Sequence, residues 1–371
     1  MRDSNYSKSS RKALLVFPDA HLRYSPSAIN AATVLVEHGF DVTIICVSNH
    51  YASPGLGPQI HVKAISLPEF SHRLPARLKL FHAVGFFLLA IKACSFGFKN
   101  KPNIVIGFDA RGYLASRLAS RKAAYFSLET IHDFYHSFSR FLGVQTLIIQ
   151  SQLRKTFLFN RQSSMNVWYV PNSPLSDHQS LPSRPSIKDG PIELVYCGGL
   201  IASNFSIECI DLLNQDPRYQ LTIKGPANPD YLGFISEKYR PFLHSGRLRI
   251  DTSYESQADL VQYLASFHVG ICIYPTIVFD DFNYLTSPSG KMYSYFAAQL
   301  PCVGSLVPGL SEIEHYRAGI LVDQLSPQSL HSAIKRIASD YLLFKRGCAE
   351  AAEKLDFRRA FSSFLAAHSC A

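Results

Sequence analysis

The sequence lacks closely spaced cysteines. Its 371 residues include eight cysteines, and no two of them lie closer than twelve positions. This spacing excludes a CxxC site for a structural metal or for thiol redox chemistry. We find no complete set of metal ligands among the fourteen histidines and eight cysteines, so we predict that the protein holds no structural metal. Most cysteines lie in apolar runs, which indicates a reducing, cytoplasmic environment.

Three further absences narrow the classes of protein. The polar start, MRDSNYSKSSRK, is not followed by an apolar segment, so a secretory signal is not predicted. The longest apolar stretch, around 80–91, is shorter than the roughly 20 residues that a membrane-spanning helix needs. The loop PDAHLRYSPSA after the first predicted strand lacks the GxGxxG pattern of nicotinamide-dependent oxidoreductases. We also find no motif that indicates nucleic-acid binding.

Acidic residues are scarce in the first half of the chain. Residues 1–170 contain 20 Lys and Arg but 8 Asp and Glu, a net charge of +12, whereas 171–371 contain 17 and 20, a net charge of −3. The first half is therefore expected to have an anionic partner. Segment 72–101 contains six basic residues and no acidic one among leucines and aromatics. It is typical of a helix lying on an anionic membrane surface, and a core helix with basic ends is the alternative.

What the sequence does contain is an alternation of apolar strands and helices that begins twice. The length and the 47% hydrophobic content favour two domains with separate cores. We predict an α/β fold with two Rossmann-like domains that face each other across a cleft, with ligands at the carboxyl ends of the strands. The predicted boundaries are an N-terminal domain over 1–172, a linker over 173–190, a C-terminal domain over 191–340 and helices over 341–371 that pack back toward the N-terminal domain.

The most informative stretch is SPSGKMYSYFAAQLP, residues 287–301. A Ser-Pro-Ser-Gly-Lys run stands there at the start of a predicted buried helix. The first N–H groups of a helix lack backbone partners and favour an anion, whereas a lysine alone is unfavourable at that end. Lys291 therefore predicts a bound phosphate, and a solvated lysine is the alternative.

Together with CGG (197–199), VWYVPNSP (167–174) and PGLSEIEHYRAGILV (308–322), this stretch resembles the GT-B glycosyltransferases. The likeness covers nearly the whole chain and is greatest to family 4-like enzymes and bacterial polysaccharide glucuronosyltransferases. It implies a GT-B fold in which the second domain holds a nucleotide diphosphate sugar and the first domain binds the acceptor. It also implies that no metal or other cofactor is needed.

The resemblance implies a set of donor-binding residues in the second domain. Lys291 is expected to bind the diphosphate, with Ser289 and Gly290 beside it. The other candidates for this role are Gly198, Gly199, Lys224, Tyr254, Ser294 and Glu312. The alternative for Lys224 is a lysine in a turn without a ligand. The alternative for the Glu312 region is a structural role, in which Ser311 and Glu314 cap the next helix. Many retaining relatives carry two glutamates where this chain has Thr286 and Ser294.

The first domain supplies candidates on the acceptor side. In YFSLETIHDFYH, residues 125–136, Glu129 or Asp133 is predicted to be the general base that deprotonates an acceptor hydroxyl, with Glu129 favoured. Capping of the following helix is the alternative for both carboxylates. A carboxylate at this strand end favours inversion over retention. The remaining candidates are Arg23, Asp19 and His132 on the acceptor side, and Arg154 and Asn172 at the hinge.

These patterns predict a glycosyltransferase of hexosyl or glycuronosyl type, cytoplasmic and peripheral on the inner face of the membrane. It would move a sugar from a nucleotide diphosphate sugar to a hydroxyl of a lipid-linked or polysaccharide acceptor in cell-surface glycan synthesis. Two alternatives stay open. One is a nucleotide-sugar 2-epimerase on the same scaffold, and the other is a catalytically silent GT-B protein that binds or scaffolds other enzymes.

Overall fold

The computed structural model describes residues 11–19, 22, 25–48, 56–66, 78–129, 133–160, 164–175, 181–182, 187, 190–253, 255–274 and 289–369. The chain divides into two compact units. The first unit comprises Met1–Val170 and Arg358–Ala371, and the second comprises Pro171–Phe357. Each unit is built on its own parallel sheet, as the repeated strand and helix pattern predicts.

Within the described residues, the first unit contains seven strands and five helices before the chain enters the second. The strands are β1 (Arg11–Phe17), β2 (Phe40–Ser48), β3 (Ile60–Ser66), β4 (Ile104–Phe108), β5 (Ala124–Phe126), β6 (Thr146–Ile149) and β7 (Asn166–Tyr169). The helices are α1 (Pro26–Glu37), α2 (Leu78–Asn100), α3 (Asp109–Ala119), α4 (Phe134–Phe141) and α5 (Gln152–Phe159). The strands pair in the order β3-β2-β1-β4-β5-β6-β7.

Burial along β1 and β4 explains why this sheet forms. Residues 13–17 and 104–108 are all buried, without the alternation of a one-sided sheet. Continuous apolar strands are typical of a parallel sheet that helices cover on both faces. The two strands pair in register, with Leu14 opposite Val105 and Leu15 opposite Ile106. The carboxyl ends of β1 and β4 therefore lie side by side, where loops can carry functional residues.

The described part of the second unit repeats this plan with six strands. They are β8 (Ile192–Cys197), β9 (Tyr219–Lys224), β10 (Leu248–Asp251), β11 (Val269–Cys272), β12 (Cys302–Ser305) and β13 (Gly319–Val322), paired in the order β10-β9-β8-β11-β12-β13. The helices are α6 (Glu208–Asp211), α7 (Pro229–Lys238), α8 (Arg240–His244), α9 (Gln257–Leu264), α10 (Gly290–Ala297), α11 (Glu312–His315), α12 (Pro327–Ser339) and α13 (Tyr341–Lys354). A last helix, α14 (Phe357–Ser369), follows.

The observed boundaries differ from the predicted ones at both ends of the second unit. Pro171 already belongs to that unit, and the predicted linker 173–190 is grouped with the same unit. Ile187, inside the predicted linker, is buried in the core of the second unit. Helix α13 also belongs to the second unit, and the chain joins the first unit only from Arg358 onward. There Arg358 Nε lies 2.9 Å from Glu37 Oε2, and the rings of Phe361 and Phe126 stack at 6.4 Å between centroids.

Two strands and one helix length were not predicted. Strand β3, IHVKAIS, is an edge strand whose polar residues weaken its apolar pattern, and β13 has only four residues. Helix α2 runs over 23 residues, well beyond the apolar stretch around 80–91. The expectation that this region is too short to span a membrane was therefore wrong. By length and composition alone, the helical segment Ala83–Asn100 could cross a membrane, although 28% of that segment is buried within the protein.

Candidate functional site

Helix α10 begins at the stretch that the sequence singled out. Ser289 is the N-cap residue, and its side chain does not bond to the helix N–H groups. Gly290 and Lys291 form the first turn, which contains no acidic residue. The Nδ2 atom of Asn172 lies 3.3 Å from the position that a Cβ on Gly290 would take. This turn therefore presents backbone N–H groups, a lysine and a neighbouring amide, all of which suit an anion.

The Lys291 side chain lies between two tyrosine rings. Its Nζ atom is 4.7 Å from the centroid of the Tyr196 ring and 4.4 Å from that of Tyr274, and it donates to the Tyr196 hydroxyl at 3.3 Å. Among the described residues, no carboxylate forms a salt bridge with it. Burial lowers the pKa of the Lys291 ammonium below its ordinary value. A bound anion would offset this cost of burial.

Glycines bring the backbone of β8 close to this lysine. A Cβ on Gly198 would lie 3.0 Å from Lys291 Cε and 3.1 Å from the Tyr196 hydroxyl. At the end of the neighbouring strand, Gly225 has φ +143°, and a Cβ on it would lie 2.4 Å from the Gly198 carbonyl oxygen. Glycine is required at such a close backbone approach. Gly199 is the next residue, and Leu200 N–H continues the contact by donating to the Pro226 carbonyl at 2.8 Å.

Tyr295 fixes helix α10 against the sheet. Its buried hydroxyl accepts from the Cys197 N–H at 3.0 Å and lies 3.0 Å from the Ile271 carbonyl, to which it donates. The ring packs against Gly270 so closely that a Cβ there would come within 2.7 Å of it. The start of α10 is therefore held next to the carboxyl ends of β8 and β11.

We expect Tyr295→Phe to lower the free energy of unfolding by about 1–3 kcal/mol, because the Cys197 N–H loses its acceptor in a buried place. Tyr231→Phe is the matched control, since that hydroxyl makes one bond, to the Phe205 carbonyl at 3.2 Å, from a less buried ring. Thermal unfolding followed by calorimetry measures both. Equal effects of the two substitutions would show that Tyr295 does not anchor the helix.

Lys224, a predicted donor contact, is engaged within the protein. Its Nζ lies 2.8 Å from Asp251 Oδ2, 2.6 Å from Ser253 Oγ and 3.1 Å from Glu255 Oε1. The residue is 2% exposed. Burial opposes its charged form, but the hydrogen bonds to Asp251 and Glu255 outweigh burial and raise its pKa. These partners are supplied by the end of β10 and the loop after it, so Lys224 ties two strand ends together.

Two other donor-side candidates, Ser294 and Glu312, lie in the middle of helix α10 and in the first turn of helix α11. Ser294 is buried, and its hydroxyl donates to the Gly290 carbonyl at 2.9 Å, one turn earlier in α10. Glu312 is half-buried in the first turn of α11. Ser311 precedes it, but its side chain does not cap the helix, so the predicted capping alternative was wrong. Tyr254 lies outside the described residues.

Asp109 is a residue of the first unit that the sequence analysis did not identify as a candidate. It directly follows β4 and has φ +48°, a left-handed conformation that aspartate tolerates better than most residues. Its Oδ1 accepts from the N–H groups of Leu128 at 2.7 Å and Glu129 at 2.9 Å. Burial raises the pKa of this carboxyl to about 7. An acidic residue directly after a buried strand is the signal that marks it.

The two predicted catalytic carboxylates, Glu129 and Asp133, lie in different environments. Glu129 is exposed and follows β5, and its backbone is bonded to Asp109. Asp133 is the N-cap residue of α4 and accepts from the His136 N–H at 2.8 Å, as the capping alternative stated. Behind them Arg154 is 1% exposed and donates to the Leu128 carbonyl at 2.6 Å. Asp109, Glu129 and Arg154 are thus linked through one loop.

Asp109→Asn is expected to reduce the pH dependence of stability. The folded-state pKa of about 7 exceeds the ordinary value of 3.8, so the folded state holds this proton more tightly. Wild-type stability should therefore fall as the pH rises from about 4 through 7. Asparagine keeps the acceptor oxygen and does not ionise. Melting temperatures between pH 5 and 8 check this, with exposed Asp323→Asn as control, and an unchanged pH slope in Asp109→Asn would contradict it.

The structure describes little of the remaining predicted site residues. Asp19 is exposed just after β1, and Arg23 and His132 lie outside the described residues. Within the described ranges, no group of three His, Cys, Asp or Glu side chains is placed to hold a metal ion. The absence of a metal requirement stays a prediction.

Comparison with known proteins supports the fold. No protein-family model and no curated protein sequence matches the chain. Among solved structures, sucrose-phosphate synthase from Thermosynechococcus elongatus superposes with a TM-score of 0.73 at 12% identity, over 96% of this chain and 98% of that one. Anabaena HepE, solved with UDP and glucose, gives 0.68 at 14% identity, over 97% and 100%.

A third similar structure belongs to another enzyme class. A Listeria monocytogenes protein assigned as a UDP-N-acetylglucosamine 2-epimerase gives a TM-score of 0.60 at 12% identity, over 97% of this chain and 96% of that one. All three superpose over nearly the whole of this chain at low sequence identity. The two parallel sheets, their strand orders and these whole-length superpositions together show that the chain has the GT-B fold.

Proposed function

We propose that the protein is a glycosyltransferase that takes its sugar from a nucleotide diphosphate sugar. The observation that carries this proposal is the first turn of α10, where Lys291 lies between two tyrosine rings with no carboxylate partner among the described residues. A diphosphate supplies the negative charge that this turn favours. The similar HepE structures contain UDP and UDP-glucose, which supports a nucleotide-sugar donor.

The proposed catalysis rests on stabilising the negative charge of the leaving group. Cleavage of the sugar–phosphate bond leaves negative charge on the departing diphosphate. Lys291 and the N–H groups at the start of α10 are fixed before the reaction and stabilise that charge as it develops. In our proposal this replaces a metal ion. Gly198 allows the diphosphate to approach the backbone, because a side chain there would meet the lysine.

On the acceptor side we propose transfer with inversion. A carboxylate near the end of β4 or β5 would accept the proton of the attacking hydroxyl. Glu129 keeps this role in the proposal because it is exposed, whereas Asp133 is used as a helix cap. Asp109 joins it as a second carboxyl, because its pKa of about 7 suits proton transfer near neutral pH. The acceptor is proposed to be a lipid-linked or polysaccharide hydroxyl in cell-surface glycan synthesis, reached from the cytoplasmic side of the membrane.

The test is incubation of the purified protein with a panel of nucleotide diphosphate sugars, with and without lipid-linked and oligosaccharide acceptors. We expect release of the nucleoside diphosphate and an acceptor whose mass grows by one sugar. The anomeric configuration of the product, read by NMR, decides between inversion and retention. Substituting Glu129 or Asp109 should lower the turnover number without abolishing donor binding.

Two outcomes would favour the alternatives. Conversion of the donor to its 2-epimer without any acceptor would identify an epimerase, the class to which the similar Listeria protein is assigned. Binding of the nucleotide without transfer, hydrolysis or epimerisation would identify a silent binding protein. If no nucleotide or nucleotide sugar binds, the proposed donor site is wrong.

A further inference from the structure

Helices α2 and α4 expose an unusual number of large apolar side chains. Of the 16 exposed large hydrophobic residues among those described, nine lie on or directly after these two helices. We call this set the α2–α4 face. Its members are Val84, Phe87, Leu88, Ile91, Phe98, Phe134, Phe138, Phe141 and Leu142. Five of them are more than 60% exposed, with Phe98 at 86% and Phe141 at 83%. Clusters of this kind mark interaction surfaces, whereas isolated exposed residues do not.

The spacing shows that each helix presents one continuous apolar stripe. Phe87, Ile91 and Phe98 are separated by four and seven positions and so share one side of α2. Another side of the same helix is buried, with Leu89, Ala90 and Ala93 each 5% exposed or less. The helix is therefore packed into the first unit along one side and faces outward along another. This is the geometry of a helix lying along a surface.

Helix α4 extends the same surface. Phe134, Phe138 and Phe141 are separated by four and three positions, and their rings stack in sequence at 6.0 and 6.3 Å between centroids. The two helices are in contact, since the rings of Phe86 and Tyr135 lie 5.1 Å apart. From the sequence, only segment 72–101 was predicted to contact a membrane. The eight residues FYHSFSRF are too few to indicate a surface until α4 is placed beside α2.

The chain segment that carries this surface is mainly basic. Residues 70–170 contain 14 Lys and Arg but only three acidic residues, Asp109, Glu129 and Asp133. Two of these three accept backbone hydrogen bonds at strand and helix ends, so the carboxylates are clustered on the acceptor side. Lys99 and Lys101 are exposed at the end of α2. A second copy of this chain would bring the same positive charge against it, which disfavours self-association through this face.

We propose that the α2–α4 face docks on an anionic lipid bilayer, with its phenylalanines at the boundary of the acyl chains and its lysines at the headgroups. Apolar and aromatic side chains surrounded by basic residues are the combination that such surfaces bind. The inference deepens the proposed function, because it places the acceptor-binding unit at a membrane where lipid-linked acceptors reside. It rests on the described side chains of the first unit and does not depend on the donor site.

Vesicle sedimentation of the full chain tests this proposal. Wild type should pellet with vesicles of 70% phosphatidylcholine and 30% phosphatidylglycerol, and at least tenfold less with pure phosphatidylcholine. The double variant Phe134→Ser/Phe141→Ser should bind about tenfold or more weakly, because two exposed phenylalanines no longer enter the bilayer. Lys99→Glu/Lys101→Glu should weaken binding to the anionic vesicles by a similar factor or more.

The matched control is Phe234→Ser/Leu342→Ser, which removes two exposed apolar side chains from the second unit. It should bind vesicles like wild type. Absence of binding to anionic vesicles, or equal binding by the Phe134→Ser/Phe141→Ser variant, overturns the proposal. A dimer that only this variant abolishes, without vesicle binding, assigns the face to a second copy and also overturns it. Nucleotide-induced stabilisation measured on the same samples separates failure of docking from failure of the donor site.

Discussion

Lys291→Met should abolish most of the stabilisation that a nucleoside diphosphate gives to the wild-type protein. A ligand that binds the native state raises the melting temperature by mass action. Hydrogen bonds to a charged group contribute about 1.5–3 kcal/mol, so affinity should fall roughly 10- to 100-fold. Thermal shift with UDP, ADP, GDP and their sugars measures this effect. Methionine keeps an apolar chain between the rings of Tyr196 and Tyr274.

The free Lys291→Met protein should be at least as stable as wild type. Burial already lowers the pKa of Lys291, so the unliganded protein holds a cation at an energetic cost. Lys335→Met, on the exposed side of α12, is the matched control and should keep the full response to nucleotide. If Lys291→Met responds to nucleotide as wild type does, Lys291 does not bind the diphosphate.

Lys224→Met should have the opposite effect. It removes the cation from a buried cluster and leaves Asp251 and Glu255 facing each other without it. Loss of one partner of a buried ion pair costs about 3–5 kcal/mol, and we expect about 2–4 kcal/mol because the carboxylates are about one-third exposed. Scanning calorimetry without ligand measures this loss, with Lys335→Met again as control.

The pH dependence adds a second test of this cluster. Burial raises the pKa of Asp251, but bonds from Lys224 and Ser253 outweigh burial and lower it to about 2. Its contribution to stability is present above the ordinary value of 3.8 and is lost as the pH falls through 2. Lys224→Met should weaken this acid dependence. A variant as stable as wild type at neutral pH would show that Lys224 is free to serve the ligand instead.

Lys291 and Lys224 show which features of a site can be predicted from the sequence and which cannot. Each lies near a predicted strand or helix end beside glycines, and the pattern KGP gives no hint of what surrounds Lys224. Its partners follow 27 to 31 positions later, at the end of β10 and in the loop after it. Only the pairing of β9 with β10 brings them together. Long-range ion pairs of this kind cannot be inferred from local spacing.

Most strands of the two sheets, but not β3 and β13, could be predicted because their apolar runs are continuous. Runs such as ALLVF and VGICI are buried throughout, and their pattern can be identified without knowing the neighbouring strands. Tyr295 and Tyr196 were missed as parts of the site because tyrosine is frequent in this chain, with 19 copies. Their roles depend on a hydroxyl that reaches backbone groups of other elements, as Tyr295 reaches Cys197 and Ile271.

Asp109 was missed for a related reason. The apolar run NIVIGF, residues 103–108, predicts a strand, but the run does not show what the aspartate after it contacts. Its left-handed backbone and its bonds to Leu128 and Glu129 arise only when β4 and β5 lie side by side. The structural role of Asp133 as a helix cap could be predicted from the sequence, because capping depends only on neighbouring residues.

The most direct test of the central claim is a calorimetric titration of wild type and Lys291→Met with UDP and with UMP. Should the thermal-shift panel select another base, its diphosphate and monophosphate replace them. We predict that wild type binds the diphosphate at least tenfold more tightly than the monophosphate, and that Lys291→Met loses most of this difference. A preference for the diphosphate that is unchanged in Lys291→Met would contradict the account, because the start of α10 would then not hold the second phosphate.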